Sequence, residues 1–159
     1  MQKVKLLPKQ IYALCDWETL QKKQISLETY LEICSKYDTA YIQYRDKNSS
    51  IDIQKKNLMY LKNNTIIPII INDNLELLEY ADGLHFGQED LKLLCTKFNL
   101  EKKDLLIKLL KKRYPNKIFG LSTHNEKEIL EANSFELDYI GLGAYRQTNT
   151  KDVSTILGD

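Results

Sequence analysis

The chain lacks any hydrophobic run close to the roughly 20 residues that a membrane-spanning helix needs. It also has little cysteine: Cys15, Cys34 and Cys95 lie far apart, form no CxxC pair and are odd in number. This pattern argues against a disulfide framework and fits a reducing compartment. Residues 1–8 are too short and too polar for a signal peptide. We therefore expect a cytoplasmic protein without a membrane segment, with three small buried cysteines.

The chain also has no excess of positive or negative charge, since its net charge is +1. Composition therefore gives no reason to expect a nucleic-acid or membrane partner. The basic stretch 108–113 has leucines at helical spacing, which is typical of a solvated helix face. No linker, repeat or low-complexity tract interrupts the 159 residues, so the sequence predicts one domain over residues 1–159.

What is present is an alternation of short β-branched runs with longer helical patterns. Helices are expected over 26–37, with Ser26 as N-cap, and over 50–63, 74–80, 88–114 and 126–133, with a break in the fourth near 102–104. Strands are expected over 10–16, 39–45, 66–72, 83–87, 117–122 and 139–144. Such alternation predicts parallel βα units, which either a barrel or an open doubly wound sheet would satisfy.

Polar side chains gather where these strands end, which is where parallel α/β folds bind their ligands. Gln43, Arg45 and Lys47 alternate at the end of the second strand and share one face. An amide donor, a planar guanidinium and a mobile ammonium suit a phosphate group. The alternative is an ordinary solvated strand edge.

Carboxylates follow the third and fourth strands. Asp73 and Asp90 could share one Mg²⁺, which prefers oxygen ligands and keeps water or phosphate in the rest of its shell. Each could equally be a helix N-cap. The fifth strand ends in Ser122 and His124, which could bind phosphate or move a proton, although a single histidine is more often structural.

The sixth strand leads into residues 145–151, whose hydroxyls and lysine suit a second phosphate unless they are only a polar tail. His85 lies inside the fourth strand, and we expect it to be structural.

Taken in order, five segments resemble thiamine phosphate synthase and its TenI-like relatives. They are QYRDK at 43–47, IIINDN at 69–74, ADGLHFGQEDL at 81–91, GLSTH at 120–124 and DYIGLGAYRQTNTK at 138–151. The resemblance implies a TIM-type (β/α) barrel and a role in thiamine biosynthesis. The family joins hydroxymethylpyrimidine pyrophosphate to a thiazole phosphate, which gives thiamine phosphate and pyrophosphate.

The resemblance also implies roles for individual residues. Asp73 and Asp90 would bind the cofactor Mg²⁺. Thr148 and Thr150 would hold the thiazole phosphate, and Arg45, Lys47 and Lys151 would stabilise charge on the departing pyrophosphate. The thiazole nitrogen then needs only alignment. The whole set that would hold the pyrimidine pyrophosphate is Gln43, Arg45, Lys47, Asn72, Ser122 and Lys151.

Two features depart from the family pattern. The family barrel has eight strands, whereas this sequence predicts six, so we expect a shortened barrel with an impaired thiazole-phosphate half and edges covered by a second copy, a partner chain or the long helical region. Asp46 stands where the family usually has glutamate. Two alternatives to the transferase remain: a TenI-like thiazole tautomerase with His124 as proton carrier, and a non-catalytic binder of phosphorylated ligands.

Overall fold

The computed structural model describes residues 9–144, in which six strands alternate with helices. The strands are β1 Ile11–Asp16, β2 Thr39–Arg45, β3 Ile69–Asn72, β4 Gly83–Phe86, β5 Ile118–Thr123 and β6 Tyr139–Leu142. The helices are α1 Trp17–Lys22, α2 Leu27–Ser35, α3 Ile51–Asn64, α4 Gln88–Lys97, α5 Lys103–Arg113 and α6 Glu126–Ala132, with a 3₁₀ helix at Leu75–Tyr80.

Strand order decides between the two architectures that the sequence left open. The order is β1-β2-β3-β4-β5-β6, and the pairs β1–β2, β4–β5 and β5–β6 are parallel. A doubly wound sheet reverses its strand order at a switch point, whereas strands of a TIM-type barrel follow one another around the sheet. The described strands therefore have the order of a TIM-type barrel with six of its strands, as the family resemblance implied.

The chain divides into two compact units, Met1–Ile70 and Ile71–Asp159. In the first unit, β1 pairs with β2 and α2 packs on α3. Its core includes the fully buried Ile42, Tyr44, Leu58 and Leu61, and Cys15 and Cys34 are also buried there, as expected. Burial raises the pKa of the Cys15 thiol to about 12, which keeps it protonated and inert.

The second unit is built on β4, β5 and β6, with α4 against α5. Phe86 and Phe119 stack at its centre with ring centroids 6.2 Å apart, and Leu106, Ile107 and Leu110 bury one face of α5. The opposite face of α5 carries exposed lysines, as the spacing of its leucines predicted. Among the described residues, no helix has the length and apolar character that crossing a membrane requires.

Two of the differences from the sequence prediction have a clear physical cause. Helix α1 follows β1 directly, because Asp16 caps it by accepting a hydrogen bond from the Thr19 N–H at 3.0 Å. Strand β3 starts at Ile69 rather than at residue 66. Pro68 has no N–H to give to a strand ladder, and Ile66 is fully exposed.

Candidate functional site

The end of β2 carries the predicted phosphate clamp, and β1 holds two of its side chains. Gln43 is buried and donates from Nε2 to the Tyr12 hydroxyl at 2.9 Å. Arg45 donates from Nη1 to Asp16 Oδ2 at 2.6 Å. Arg45 and Asp16 are also register partners across the β1–β2 pair. The clamp residues are therefore held in place by neighbours on β1 that sequence reasoning did not single out.

Asp16 is the more informative of these neighbours because it serves two partners. Burial raises its pKa, but the hydrogen bonds from Thr19 and Arg45 outweigh that effect and hold the pKa below its usual value. A permanent carboxylate therefore orients the Arg45 guanidinium at the strand end. Lys47 lies two residues further on and is exposed, where a mobile cation can reach an anion.

Asp73 and Asp90 meet around Gly87 in the second unit. The Gly87 N–H donates to Asp73 Oδ1 at 3.0 Å. A methyl group at Gly87 would come within 2.7 Å of Asp90 Oδ2, so the absence of a side chain there gives the Asp90 carboxylate room to approach, whereas Asp73 Oδ1 would be at an ordinary contact distance of 3.8 Å. Asp73 has a φ of 59°, in the left-handed region that aspartate tolerates better than most residues.

Neither carboxylate is a helix N-cap, which was the alternative reading of the sequence. Asn74 caps the 3₁₀ helix with its own side chain, and Gly87 stands at the N-cap of α4. Asp90 instead lies in the first turn of α4. Asn72, a predicted ligand contact, donates from Nδ2 to Asp73 Oδ2 at 2.8 Å and orients that carboxylate.

The electrostatics of the pair suit a cation. Burial raises the pKa of Asp73, and the charge of Asp90 raises it further. Two such carboxylates repel each other unless they share a proton or a cation, and a hard divalent ion with water or phosphate oxygens in its remaining positions fits this donor set. Among residues 9–144, no group of three or more His, Cys, Asp or Glu side chains could hold a metal ion.

Ser122 lies beside a buried histidine rather than standing alone. His85 Nε2 is 2.8 Å from Ser122 Oγ, and His85 Nδ1 is 3.0 Å from the Tyr139 hydroxyl. The Tyr139 ring packs on Gly120, where an added Cβ would overlap it at 2.1 Å. His85 is thus held on both ring nitrogens, which fits the structural role that its position in β4 predicted.

A second contact near Ser122 was missed from the sequence. Gln88 donates from Nε2 to the Ser122 carbonyl oxygen at 2.9 Å and accepts from Lys103 Nζ at 3.1 Å. Lys103 also pairs with Glu131 at 3.1 Å. These residues lie far apart in the chain, so only the fold reveals that α4, α5 and α6 together fix the end of β5.

His124, the predicted proton carrier of the alternative activity, is bonded to Glu128 of α6, the helix that follows it. Its Nδ1 lies 2.9 Å from Glu128 Oε2, and its backbone N–H donates to the same oxygen at 2.8 Å. Burial raises the pKa of Glu128, but the bonds with His124 outweigh it and lower the pKa overall. The remaining predicted ligand contacts, Thr148, Thr150 and Lys151, lie outside the described residues.

Comparisons with known proteins show the family of the chain. A family described as thiamine monophosphate synthase matches residues 11–158. A thiamine-phosphate synthase of Staphylococcus epidermidis is 29% identical over 150 residues, covering 89% of this chain and 64% of that protein. One from Oceanobacillus iheyensis is 35% identical over 140 residues, covering 82% of this chain and 61% of that protein.

The fold also has a counterpart among solved structures. A thiamine phosphate pyrophosphorylase from Pyrococcus furiosus superposes with a TM-score of 0.65 at 23% identity, covering 94% of this chain and 65% of that one. The chain belongs to the thiamine monophosphate synthase family. It spans less than two thirds of the length of the relatives named here.

Proposed function

We propose that the protein acts in thiamine biosynthesis as a transferase that joins hydroxymethylpyrimidine pyrophosphate to thiazole phosphate. The bond between the pyrimidine methylene carbon and the pyrophosphate oxygen breaks, and pyrophosphate leaves with the electron pair. The thiazole nitrogen then bonds to that carbon. No nucleophilic side chain is needed, so the protein contributes alignment and charge stabilisation.

The observation that carries this proposal is the carboxylate pair at Gly87. A strand end that binds phosphate without a metal ion needs no pair of carboxylates. A site in which pyrophosphate leaves bound to Mg²⁺ needs such a pair to hold the ion. Asp73 and Asp90 would hold the ion, and Asn72 would orient Asp73. When bound, Mg²⁺ would neutralise charge on the pyrophosphate oxygens.

In the same proposal, the chain's cations bind the leaving group. Arg45, oriented by Asp16, would offer its guanidinium to phosphate oxygens, and the exposed Lys47 would close over them. Lys151 would add a third cation, with Thr148 and Thr150 on the thiazole phosphate, on the strength of the family pattern alone.

Calorimetric titration with hydroxymethylpyrimidine pyrophosphate tests the proposal. We expect binding that weakens by at least about tenfold without Mg²⁺, or in Asp73→Asn with Mg²⁺ present. Glu89→Gln is the matched control, because Glu89 lies beside Asp90 in α4 but is exposed and paired with Lys92 at 2.9 Å. Binding that is equally strong without Mg²⁺ and in Asp73→Asn would rule out this role for the pair.

The tautomerase remains the second candidate because of one observation, the contact between His124 and Glu128. A carboxylate on one ring nitrogen is the usual way to prepare a histidine for proton transfer. Conversion of the thiazole tautomer, lost in His124→Gln and retained in Asp73→Asn, would favour that activity over the transferase.

A further inference from the structure

A buried polar chain lies on the side of β2 opposite to the clamp. Tyr44 is fully buried, and its hydroxyl donates to Asp46 Oδ2 at 2.8 Å. The same hydroxyl accepts from Asn57 Nδ2 of α3 at 2.9 Å. Because side chains alternate along a strand, Tyr44 faces away from Gln43 and Arg45. The phosphate chemistry does not use these groups, so the burial of Tyr44 and Asn57 needs another reason.

Asp46 uses its second oxygen to fix the loop that follows β2. Its Oδ1 accepts the N–H of Asn48 at 3.2 Å and that of Ser49 at 3.0 Å. Lys47 lies inside this closed turn. Burial raises the pKa of Asp46, but these bonds outweigh it and keep the pKa below its usual value, so the acceptor stays charged.

Helix α3 holds the far end of the same loop. Gln54 donates from Nε2 to the Ser49 carbonyl oxygen at 3.0 Å. Gln54 and Asn57 are three residues apart and so lie on one face of α3. Helix α3 therefore holds the loop by hydrogen bonds on both sides of Lys47. Gln54 bonds to Ser49 directly, and Asn57 bonds to Asp46 through the Tyr44 hydroxyl.

We infer that Tyr44, Asp46 and Asn57 are positioning residues. They hold the loop so that Lys47, and Arg45 at the strand end, are placed to contact a pyrophosphate group. This inference rests on the proposed function. The network touches no ligand itself; it limits the freedom of a long cationic side chain whose ordering would otherwise oppose binding.

The test is calorimetric binding of inorganic pyrophosphate, with Mg²⁺, to the whole chain well below its melting temperature. We expect Tyr44→Phe to weaken binding about tenfold, because it keeps the ring and removes only the hydroxyl that joins Asn57 to Asp46. Tyr60→Phe is the matched control, a tyrosine on α3 with a partly exposed ring, and it should bind as the wild type does.

Loss of stability is separated from loss of positioning by two further variants. Leu61→Val should lower the melting temperature by removing buried volume from the core beside α3, while it leaves Tyr44, Asp46 and Asn57 unchanged, and it should keep wild-type affinity. Tyr44→Phe combined with Asn57→Ala should bind no worse than the weaker single variant, since both cut one chain of bonds.

The outcomes distinguish this inference from the proposed function. A wild type that does not bind pyrophosphate contradicts the function itself. If the wild type binds pyrophosphate and the Tyr44→Phe and Tyr60→Phe variants bind it with equal affinity, the inference is overturned but the proposed function is not. The inference is likewise overturned by a Leu61→Val variant that loses as much affinity as Tyr44→Phe, or by a double variant whose loss is the product of the two single losses.

Discussion

At Asp73, burial and the neighbouring Asp90 both disfavour the charged carboxylate, and neither effect acts in the unfolded chain. The folded state therefore binds this proton more tightly than the unfolded state does. That contribution to the free energy of unfolding is fully present below the unfolded-state pKa and is lost as pH rises through the folded-state pKa. Near neutral pH, the metal-free protein therefore retains the repulsion between the Asp73 and Asp90 carboxylates.

Asp90→Asn should therefore raise the melting temperature of the metal-free protein by a few degrees at pH 7, although it removes one acidic group from the first turn of α4. The gain should shrink as pH falls and Asp73 takes up its proton. Thermal melts in chelator across pH 4–8 measure it. A gain that is equal at all pH values would show that repulsion with Asp73 is not its source.

Single residues also show where sequence reasoning succeeds. Ser26 and Ser50 cap α2 and α3 with their side chains, and local spacing was enough to place Ser26. The contacts Asp16–Arg45 and Tyr12–Gln43 depend on the β1–β2 register and join residues about thirty positions apart. No local pattern encodes that register, so the sequence located the clamp but not what holds it.

At the scale of elements, Lys103 joins three helices to the end of β5. It is mostly buried, pairs with Glu131 and donates to Gln88, which donates in turn to the Ser122 carbonyl oxygen. Lys108 of the same helix has a largely exposed side chain and pairs with Asp104 at 3.9 Å. The local sequence does not distinguish the two lysines, because the partners of Lys103 come from other helices and meet it only in the fold.

We expect Lys103→Met to lower the free energy of unfolding by about 1–2 kcal/mol, because Gln88 and Glu131 both lose a charged partner. Lys108→Met should change it by less than about 0.5 kcal/mol, as is usual for exposed pairs. Urea denaturation of both variants measures the difference. Equal effects would mean that Lys103 has no special part in fixing the end of β5.

Elements were predictable where periodicity was strong. Strand β2 has the predicted bounds. A break does separate α4 from α5, but it covers residues 98–102 rather than 102–104, since Lys102 adopts an extended backbone and α5 already begins at Lys103. Helix α1 was missed because its cap, Asp16, also ends a strand. The start of β3 was misplaced because Pro68 cannot join the ladder, although its carbonyl oxygen accepts from Ile42.

At the scale of the whole molecule, one family match spans residues 11–158, whereas the fold divides into two compact units. The first unit carries Gln43, Arg45 and Lys47, and the second carries Asn72, Asp73, Asp90 and Ser122. The single domain, the Mg²⁺ cofactor and the second copy or partner chain expected at the sheet edges all stay predictions.

The most direct test of the central claim is to mix the protein with hydroxymethylpyrimidine pyrophosphate, thiazole phosphate and Mg²⁺ and to measure both products. We predict thiamine phosphate and pyrophosphate in equal amounts, with a rate at least about 100-fold lower in Arg45→Met, because Arg45 would stabilise charge as it develops on the leaving group. Mg²⁺-dependent binding of the pyrimidine substrate with no thiamine phosphate formed would contradict the account and leave the protein as a binder of its ligand.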